Sequence, residues 1–252
     1  MKICVITGAS SGMGREFVKQ IDEKYELDEF WLIARREDRL KEVASEIKTK
    51  AKVISLDLEK EENYNKYKEL LETENPEIKV LVNASGFGKF GKFDDVPLDD
   101  YYGMIDVNVK ALTALTYMSL PYMKEGSEIF ELCSLSSFQP VPGINVYGAT
   151  KAYVLSFSRA LNVELKKRNI RVIAVSPGWV KTEFFDRAVK DDTITYYNKF
   201  FTPEEVVTRA LRDMKKGKDV SVCGASIRFQ VFLVKILSAK LVMKIWCKQQ
   251  KM

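Results

Sequence analysis

Tyr147 and Lys151 stand four residues apart in the stretch VYGATKAYVLSFSRALNVEL, whose apolar residues recur at helical spacing. Residues so spaced share one face of a helix, so a phenol and an ammonium can look into the same cleft. A free tyrosine ionises with a pKa of about 10, too high for efficient proton exchange near neutrality. A neighbouring ammonium favours the phenolate and draws that value down, making the pair a proton donor and acceptor for an oxygen in the cleft. The sequence contains no histidine. Ser-His-Asp and Cys-His catalysis are therefore excluded, as are His-based metal sites, and acid–base work falls to a carboxylate, a lysine, a cysteine or a tyrosine. Cys4, Cys133, Cys223 and Cys247 are scattered, with no spacing that points to zinc or to a disulfide framework, so no metal is expected. Three of them, Cys4, Cys133 and Cys223, sit in or beside apolar runs and read as buried thiols of a reducing compartment.

A second concentration of chemistry lies near the N-terminus. VITGASSGMGREF places Thr7 and Gly8, then Gly12 and Gly14, between an apolar run and a helical pattern. Glycines there let the chain turn tightly and let a pyrophosphate approach the backbone, while the following helix offers unpaired N–H groups and a positive dipole end. About twenty residues beyond such a loop an acidic side chain would hold a ribose 2′-hydroxyl, whereas arginine accommodates a 2′-phosphate. The chain reads LIARRED at that distance, and the guanidinium forks of Arg35 and Arg36 favour NADP(H) over NAD(H).

The elements that must carry these groups alternate along the chain. Strand candidates are KICVIT (2–7), EFWLIAR (29–35), AKVISLDL (51–58), KVLVNAS (79–85), EIFELCS (128–134), IRVIAVSP (170–177) and DVSVCG (219–224), with helical patterns between them. Continuously apolar, β-branched runs are those of strands buried on both faces of a parallel sheet. Alternation of this kind gives an α/β fold, a doubly wound Rossmann-type sheet in a three-layer sandwich. The 252 residues suit one such domain, and no linker or repeat divides them. The opening apolar run is too short for a signal peptide and reads as the first strand, which leads to the expectation of a cytoplasmic protein.

The motifs, in this order and at these spacings, resemble the short-chain dehydrogenase/reductase family over residues 1–225. They are TGASSGMG (7–14), DL (57–58), NASG (83–86), Asn108, Ser134, YGATK (147–151) and SPGWVKT (176–182). The resemblance implies an NAD(P)-dependent oxidoreductase whose catalytic residues are Asn108, Ser134, Tyr147 and Lys151. It implies a coenzyme site built from Thr7, Gly8, Ser10, Ser11, Gly12, Met13 and Gly14, with Asp57 and Leu58 beside the adenine. Asn83, Ala84, Ser85 and Gly86 would line the groove, where the family's usual Asn-Asn-Ala-Gly stands here as Asn-Ala-Ser-Gly. Pro177, Gly178, Val180 and Thr182 would lie beside the nicotinamide. CSLSSF also offers Ser136 and Ser137, and the family spacing of about thirteen residues before the tyrosine selects Ser134. By the same resemblance Tyr147 exchanges a proton with the carbonyl oxygen, Ser134 orients that oxygen, and Asn108 positions a water between Lys151 and solvent. Members are usually dimers or tetramers, so a homo-oligomer is expected.

By the same resemblance, residues 179–203 would form a mobile substrate lid. Their aromatics Trp179, Phe184, Phe185, Tyr196, Tyr197, Phe200 and Phe201, facing Phe87, Phe90 and Phe93, imply an apolar substrate such as a steroid, bile acid, acyl derivative or simple ketone. Beyond the catalytic domain, taken as 1–227, residues 228–252 read as a basic amphipathic helix. Six of the forty basic residues and none of the thirty-five acidic ones lie there, which leaves the body of the chain near neutral and argues against a nucleic-acid-binding face. Lysines interrupt its apolar stretches too often for a membrane span, leaving a cover over the substrate entrance, a subunit contact or a peripheral lipid contact. The readings that compete with an NADP(H)-dependent carbonyl reductase are a coenzyme-sensing protein on the same fold and a reductase working at a membrane surface.

Overall fold

The computed structural model describes residues 1–189, 191 and 193–252. Seven parallel strands, in the order β3-β2-β1-β4-β5-β6-β9, form one sheet. They are β1 (Lys2–Thr7), β2 (Glu29–Ala34), β3 (Lys50–Ser55), β4 (Glu77–Asn83), β5 (Glu128–Leu132), β6 (Arg171–Val175) and β9 (Val220–Ser221). The chain winds outward from β1 through β2 to β3, returns to the centre, and winds the other way from β4. The order reverses between β1 and β4, and a crevice opens above the carboxyl ends of these two strands.

Alternation within single strands builds the three layers. Cys4 and Ile6 of β1 face one side, where they meet Phe17, Val18 and Ile21 of α1 (Gly12–Lys24) and the apolar face of α8 (Pro203–Lys215). Ile3 and Val5 face the other, packed with α3 (Glu62–Glu74), α5 (Leu112–Ser119) and the far end of α6 (Asn145–Glu164). The Phe17 and Phe130 rings meet at 5.2 Å across the first interface. Helix α2 (Glu37–Ser45) covers the β2–β3 edge through Leu40 and Val43.

Helix α4 (Leu98–Ile105) continues into α5 through one π turn, Asp106–Ala111, which carries Asn108. The extra residue of a π turn rotates the side chains that follow, and such turns gather at functional sites.

Two features depart from the strand reading of the sequence. The run DVSVCG pairs only at Val220 and Ser221, because the edge strand meets no more of β6 than Ala174 and Val175. Within residues 179–203, β7 (Trp179–Val180) and β8 (Phe200–Phe201) form a separate two-stranded parallel ribbon, with the short helix α7 (Phe184–Ala188) between them. Residues 190 and 192 of the expected lid lie outside the described residues.

The C-terminal segment forms two helices, α9 (Ala225–Ile236) and α10 (Ala239–Gln250), where the sequence reads as one. Leu237 is extended, and the Ser238 hydroxyl accepts from the Leu241 amide to start the second helix. Among the described residues, no helix is long and apolar enough to cross a membrane. Helix α10 is fastened to residues 195–196 by Gln250, which is 3% exposed. The amides of Thr195 and Tyr196 both donate to its Oε1 at 2.9 Å, and its Nε2 donates to the Tyr196 carbonyl at 3.1 Å. Replacing Gln250→Ala removes three hydrogen bonds and leaves two backbone amides without their partner. It should cost ~1–3 kcal/mol locally and raise the hydrogen-exchange rates of Thr195 and Tyr196 by roughly tenfold or more, without unfolding the sheet.

Candidate active site

The sharp turn after β1 depends on close backbone contact. A Cβ at Gly14 would fall 2.1 Å from the Gly8 carbonyl oxygen, so the first turn of α1 can lie against the loop only with glycine there. Ser11 caps α1 without a side-chain hydrogen bond, and no acidic residue lies in the first turn. The helix therefore presents its free N–H groups and positive end to the crevice.

That crevice is a groove of about 690 Å³. Gly8, Ser10, Ser11, Gly12, Met13 and Gly14 line one wall, Arg35, Arg36, Asp57 and Leu58 the far end, and Ala84, Ser85 and Gly86 the floor. Thr7 and Asn83 stand behind it. The Thr7 hydroxyl accepts from the Ser85 amide at 3.0 Å, and Asn83 Nδ2 donates to Thr116 Oγ1 at 2.9 Å. Glu59 and Glu183 also line the groove and were missed in the sequence. Glu59 Oε1 lies 3.4 Å from Arg35, and Glu183 Oε2 lies 2.9 Å from Arg36, which also reaches Ser10 Oγ. Glu59 directly follows the Asp57-Leu58 pair and could have been read there; Glu183 is distant in sequence and could not.

A second cavity, of about 470 Å³, opens beside the groove. The two share Met13, Ala84, Gly86, Thr182 and Phe184 as lining. Ser134, Tyr147, Lys151, Pro177, Gly178 and Val180 all reach this second cavity, with Phe90, Trp179, Phe185 and Tyr196 among its aromatic walls. Five of the expected aromatics do not line it: Tyr197 and Phe200 pack on Phe185, Phe201 is buried in the core, and Phe87 and Phe93 point elsewhere. Phe87 lines the coenzyme groove beneath Arg187, whose guanidinium sits 3.3 Å from the ring centroid. Phe93 is 62% exposed and stacks on Tyr101.

Lys151 is 4% exposed, and its Nζ donates to the Leu132 carbonyl at 2.7 Å. Burial pushes the ammonium down to about 8, with Cys133 and Glu131 opposing. Its Nζ lies 5.8 Å from the Tyr147 ring centroid. Contrary to the sequence reading, the phenol of the protein alone is raised, not lowered. Burial of the hydroxyl is the main cause, and only the Ser134 side chain draws the other way. The lysine charge is directed at Leu132 rather than at the phenol.

Ser134 begins a short turn after β5, its hydroxyl accepting from the Ser136 amide at 3.2 Å. Ser137 donates to the Ser134 carbonyl at 2.5 Å, so it braces that turn instead of lining the cavity. Asn108 is fully buried. Its Oδ1 accepts from the Phe87 amide at 3.1 Å, and its Nδ2 donates to the Phe87 carbonyl at 2.9 Å and to Thr150 Oγ1 at 3.1 Å. Asn108 thus pins the loop after β4 to the helix that bears Tyr147. A Cβ at Gly86 would meet Asn108 Oδ1 at 2.8 Å and Lys151 Nζ at 3.3 Å, so this glycine makes room for both.

Behind Lys151 lies a carboxyl absent from the sequence reading. Glu131 is fully buried in β5, with Thr116 Oγ1 2.9 Å and Asn83 Nδ2 3.2 Å from its Oε1. An acid in the middle of EIFELC was the available signal. Burial raises it to about 8, against the hydrogen bonds from Asn83 and Thr116 and the charge of Lys151.

The clefts and the buried Tyr–Lys pair define an α/β nucleotide-binding fold with its reactive groups at the carboxyl ends of the strands. The family model described as short chain dehydrogenase matches residues 2–193, and the chain belongs to that family, as an oxidoreductase. An uncharacterized oxidoreductase of Staphylococcus epidermidis is 34% identical over 183 residues, covering 72% of this chain and 79% of its own. Sulfoacetaldehyde reductase 2 of Chromohalobacter salexigens is 36% identical over 191 residues, covering 72% and 74%. The structure of a short-chain dehydrogenase from Sphingobium yanoikuyae in complex with NADPH superposes with a TM-score of 0.80 at 27% identity, over 94% of this chain and 97% of that one.

The buried Glu131 gives a pH signature. An unfolded glutamate ionises near ~4.3, whereas the native one holds its proton up to about 8. The native state is thus penalised as pH rises through this window, and stability falls until the native carboxyl ionises. Lys151, depressed by burial, has the opposite sign and acts above about 8, where the unfolded chain holds the extra proton. Urea unfolding at several pH values between these limits should show wild type losing stability relative to Glu131→Gln as pH rises. Parallel curves would show that Glu131 ionises natively at its ordinary value.

Proposed function

We propose that the protein is an NADP(H)-dependent oxidoreductase that moves a hydride between nicotinamide and a carbonyl or secondary alcohol of an apolar substrate, a steroid, bile acid, acyl derivative or simple ketone. The observation that carries the reading is the placing of Tyr147 and Lys151 in an apolar cavity that shares a wall with the glycine-loop groove.

The groove fits a dinucleotide on the protein's own chemistry. The uncapped N-terminus of α1 suits a pyrophosphate, and the space that a Cβ at Gly14 would need is taken by the loop itself. Arg35 and Arg36 support NADP(H). Their carboxylate partners form half-exposed pairs, which are worth little, so a 2′-phosphate can replace them as the bidentate partner. NADPH in the Sphingobium relative supports the same choice. Bound there, the coenzyme supplies or accepts the hydride.

The residues of the chain do the rest. Tyr147 holds a proton at its hydroxyl, beside Ser134, and gives it to the substrate oxygen or takes it back. Ser134 donates to that oxygen and orients it. Lys151, close to half-charged around its own pKa of about 8, can pass a proton onward, and Asn108 fixes the loop over which that proton leaves. The phenol needs a further positive charge to come down toward neutrality, and an oxidised nicotinamide is such a charge. Phe90, Phe184 and Phe185 exclude water and favour an apolar substrate. Family membership supports a homo-oligomer, and Tyr102, Tyr117, Tyr153 and Val163 leave apolar surface exposed for one.

Turnover with NADPH across ketosteroids, oxo-bile acids, acyl ketones and small ketones tests the reading. Tyr147→Phe should lower kcat by about 10³-fold and leave the NADPH Kd within about twofold. A protein that only senses coenzyme would show no turnover to lose. The double substitution Arg35→Ala/Arg36→Ala should raise the NADPH KM by roughly 10–100-fold and leave the NADH KM nearly unchanged. Equal effects on both coenzymes would overturn the phosphate role.

A further inference from the structure

Helices α9 and α10 have inner faces that line the cavity and outer faces that leave large apolar side chains exposed. Inward, Val231, Val234, Leu237 and Val242 close the wall opposite the catalytic residues. Outward, Phe229, Phe232 and Ile236 are 62%, 56% and 63% exposed, and on α10 Leu241 and Ile245 are each 44% exposed. Their spacing puts each set on one face of its helix. Large apolar side chains gathered this way mark an interaction surface.

The charge around this surface selects the partner. Lys240, Lys244 and Lys248 run along α10 beside Leu241 and Ile245, and residues 220–252 contain no acidic side chain. A second copy docked through a two-fold axis would set this basic face against itself, with no carboxylate to receive it. The phosphates of a bilayer surface receive it directly. Each helix has twelve residues, far short of the ~20 needed to span, which fits an orientation in the plane of the interface. Ile245 belongs to both surfaces. It lines the cavity and reaches solvent, so the cavity rim lies on this face.

We propose that the outer face of α9 and α10 docks on an anionic lipid bilayer. Phe229, Phe232 and Ile236 enter the headgroup–acyl boundary, the lysines lie on lipid phosphates, and the cavity rim faces the membrane that supplies the apolar substrate. The last step rests on the oxidoreductase reading above; the docking does not, and is measured without turnover.

The test is flotation of the full chain with vesicles of phosphatidylcholine containing about one-third phosphatidylglycerol, against phosphatidylcholine alone, at about 0.1 M and 0.5 M salt. The expected result is flotation with the anionic vesicles alone, reversed by high salt. Lys240→Gln/Lys244→Gln/Lys248→Gln should weaken it roughly a hundredfold. Phe229→Ser/Phe232→Ser, with every lysine retained, should weaken it roughly tenfold or more. Both variants should keep wild-type turnover of a water-soluble ketone with NADPH. Lack of turnover in the wild type, with flotation intact, overturns the functional reading and leaves the docking in place. No flotation, or equal flotation with neutral vesicles, overturns the docking. So does a dimer in sedimentation velocity that Phe229→Ser/Phe232→Ser dissolves while wild type ignores vesicles, which would assign the face to a second copy.

Discussion

A lysine amine deprived of water must be given an acceptor or lose its proton, and the centre of this molecule is arranged around that requirement. Lys151 donates to the Leu132 carbonyl, the last of β5, at 2.7 Å. That acceptor is free because β5 ends there and the chain turns away through Ser134. The same ending gives Ser134 its place beside Tyr147. For the lysine to lie this deep, α6 must pack close against the sheet and the loop after β4 must carry no side chain at Gly86. Asn108 then fills the remaining space, and the π turn that delivers it is the irregularity α4 and α5 bear for it.

Glu131 extends this arrangement one layer down. Its carboxyl is shut in with Asn83 and Thr116, two side chains that otherwise only stitch β4, β5 and α5 together. A neutral acid there satisfies hydrogen-bonding groups at little desolvation cost, and an ionised one sets a negative charge behind Lys151. The protonation of the two groups is thereby linked, because each charge steadies the other.

The fold was legible because its signals are local or periodic. Buried strands announce themselves as β-branched runs, and a glycine loop between strand and helix has a fixed place in such a sheet. The residues that gather around the two cavities could be picked out through motif order, which encodes the same topology. What stayed hidden depends on contacts between distant segments. Glu183 meets Arg36 across 147 residues, and Gln250 holds Tyr196 across 54. Phe93 shares the aromatic pattern of Phe87 and Phe90 yet lies outside, stacked on Tyr101 eight residues on. The break at Leu237 escaped because the apolar pattern runs through it, and only the Ser238 cap reveals a second start.

The segment after β7 and the groove are one construction. Thr182 lines both cavities, Glu183 pairs with Arg36 at the coenzyme end, and Phe184 lies 5.5 Å from the Tyr147 ring. Three consecutive residues thus touch Arg36, the shared wall and Tyr147. Helix α7 begins at the third of them, so its orientation is set from both ends: by the coenzyme side through Glu183 and by the aromatic cluster through Phe90 and Phe185. Further along, Thr195 and Tyr196 are tied by Gln250 to α10, and α10 is tied by the Trp246 indole to the Pro142 carbonyl at 2.9 Å. A force on α10 therefore reaches both residues 195–196 and the loop that leads into Tyr147. The helix also borders the cavity itself through Val242, Ile245 and Trp246, so whatever occupies its outer face lies one helix away from the space beside Tyr147.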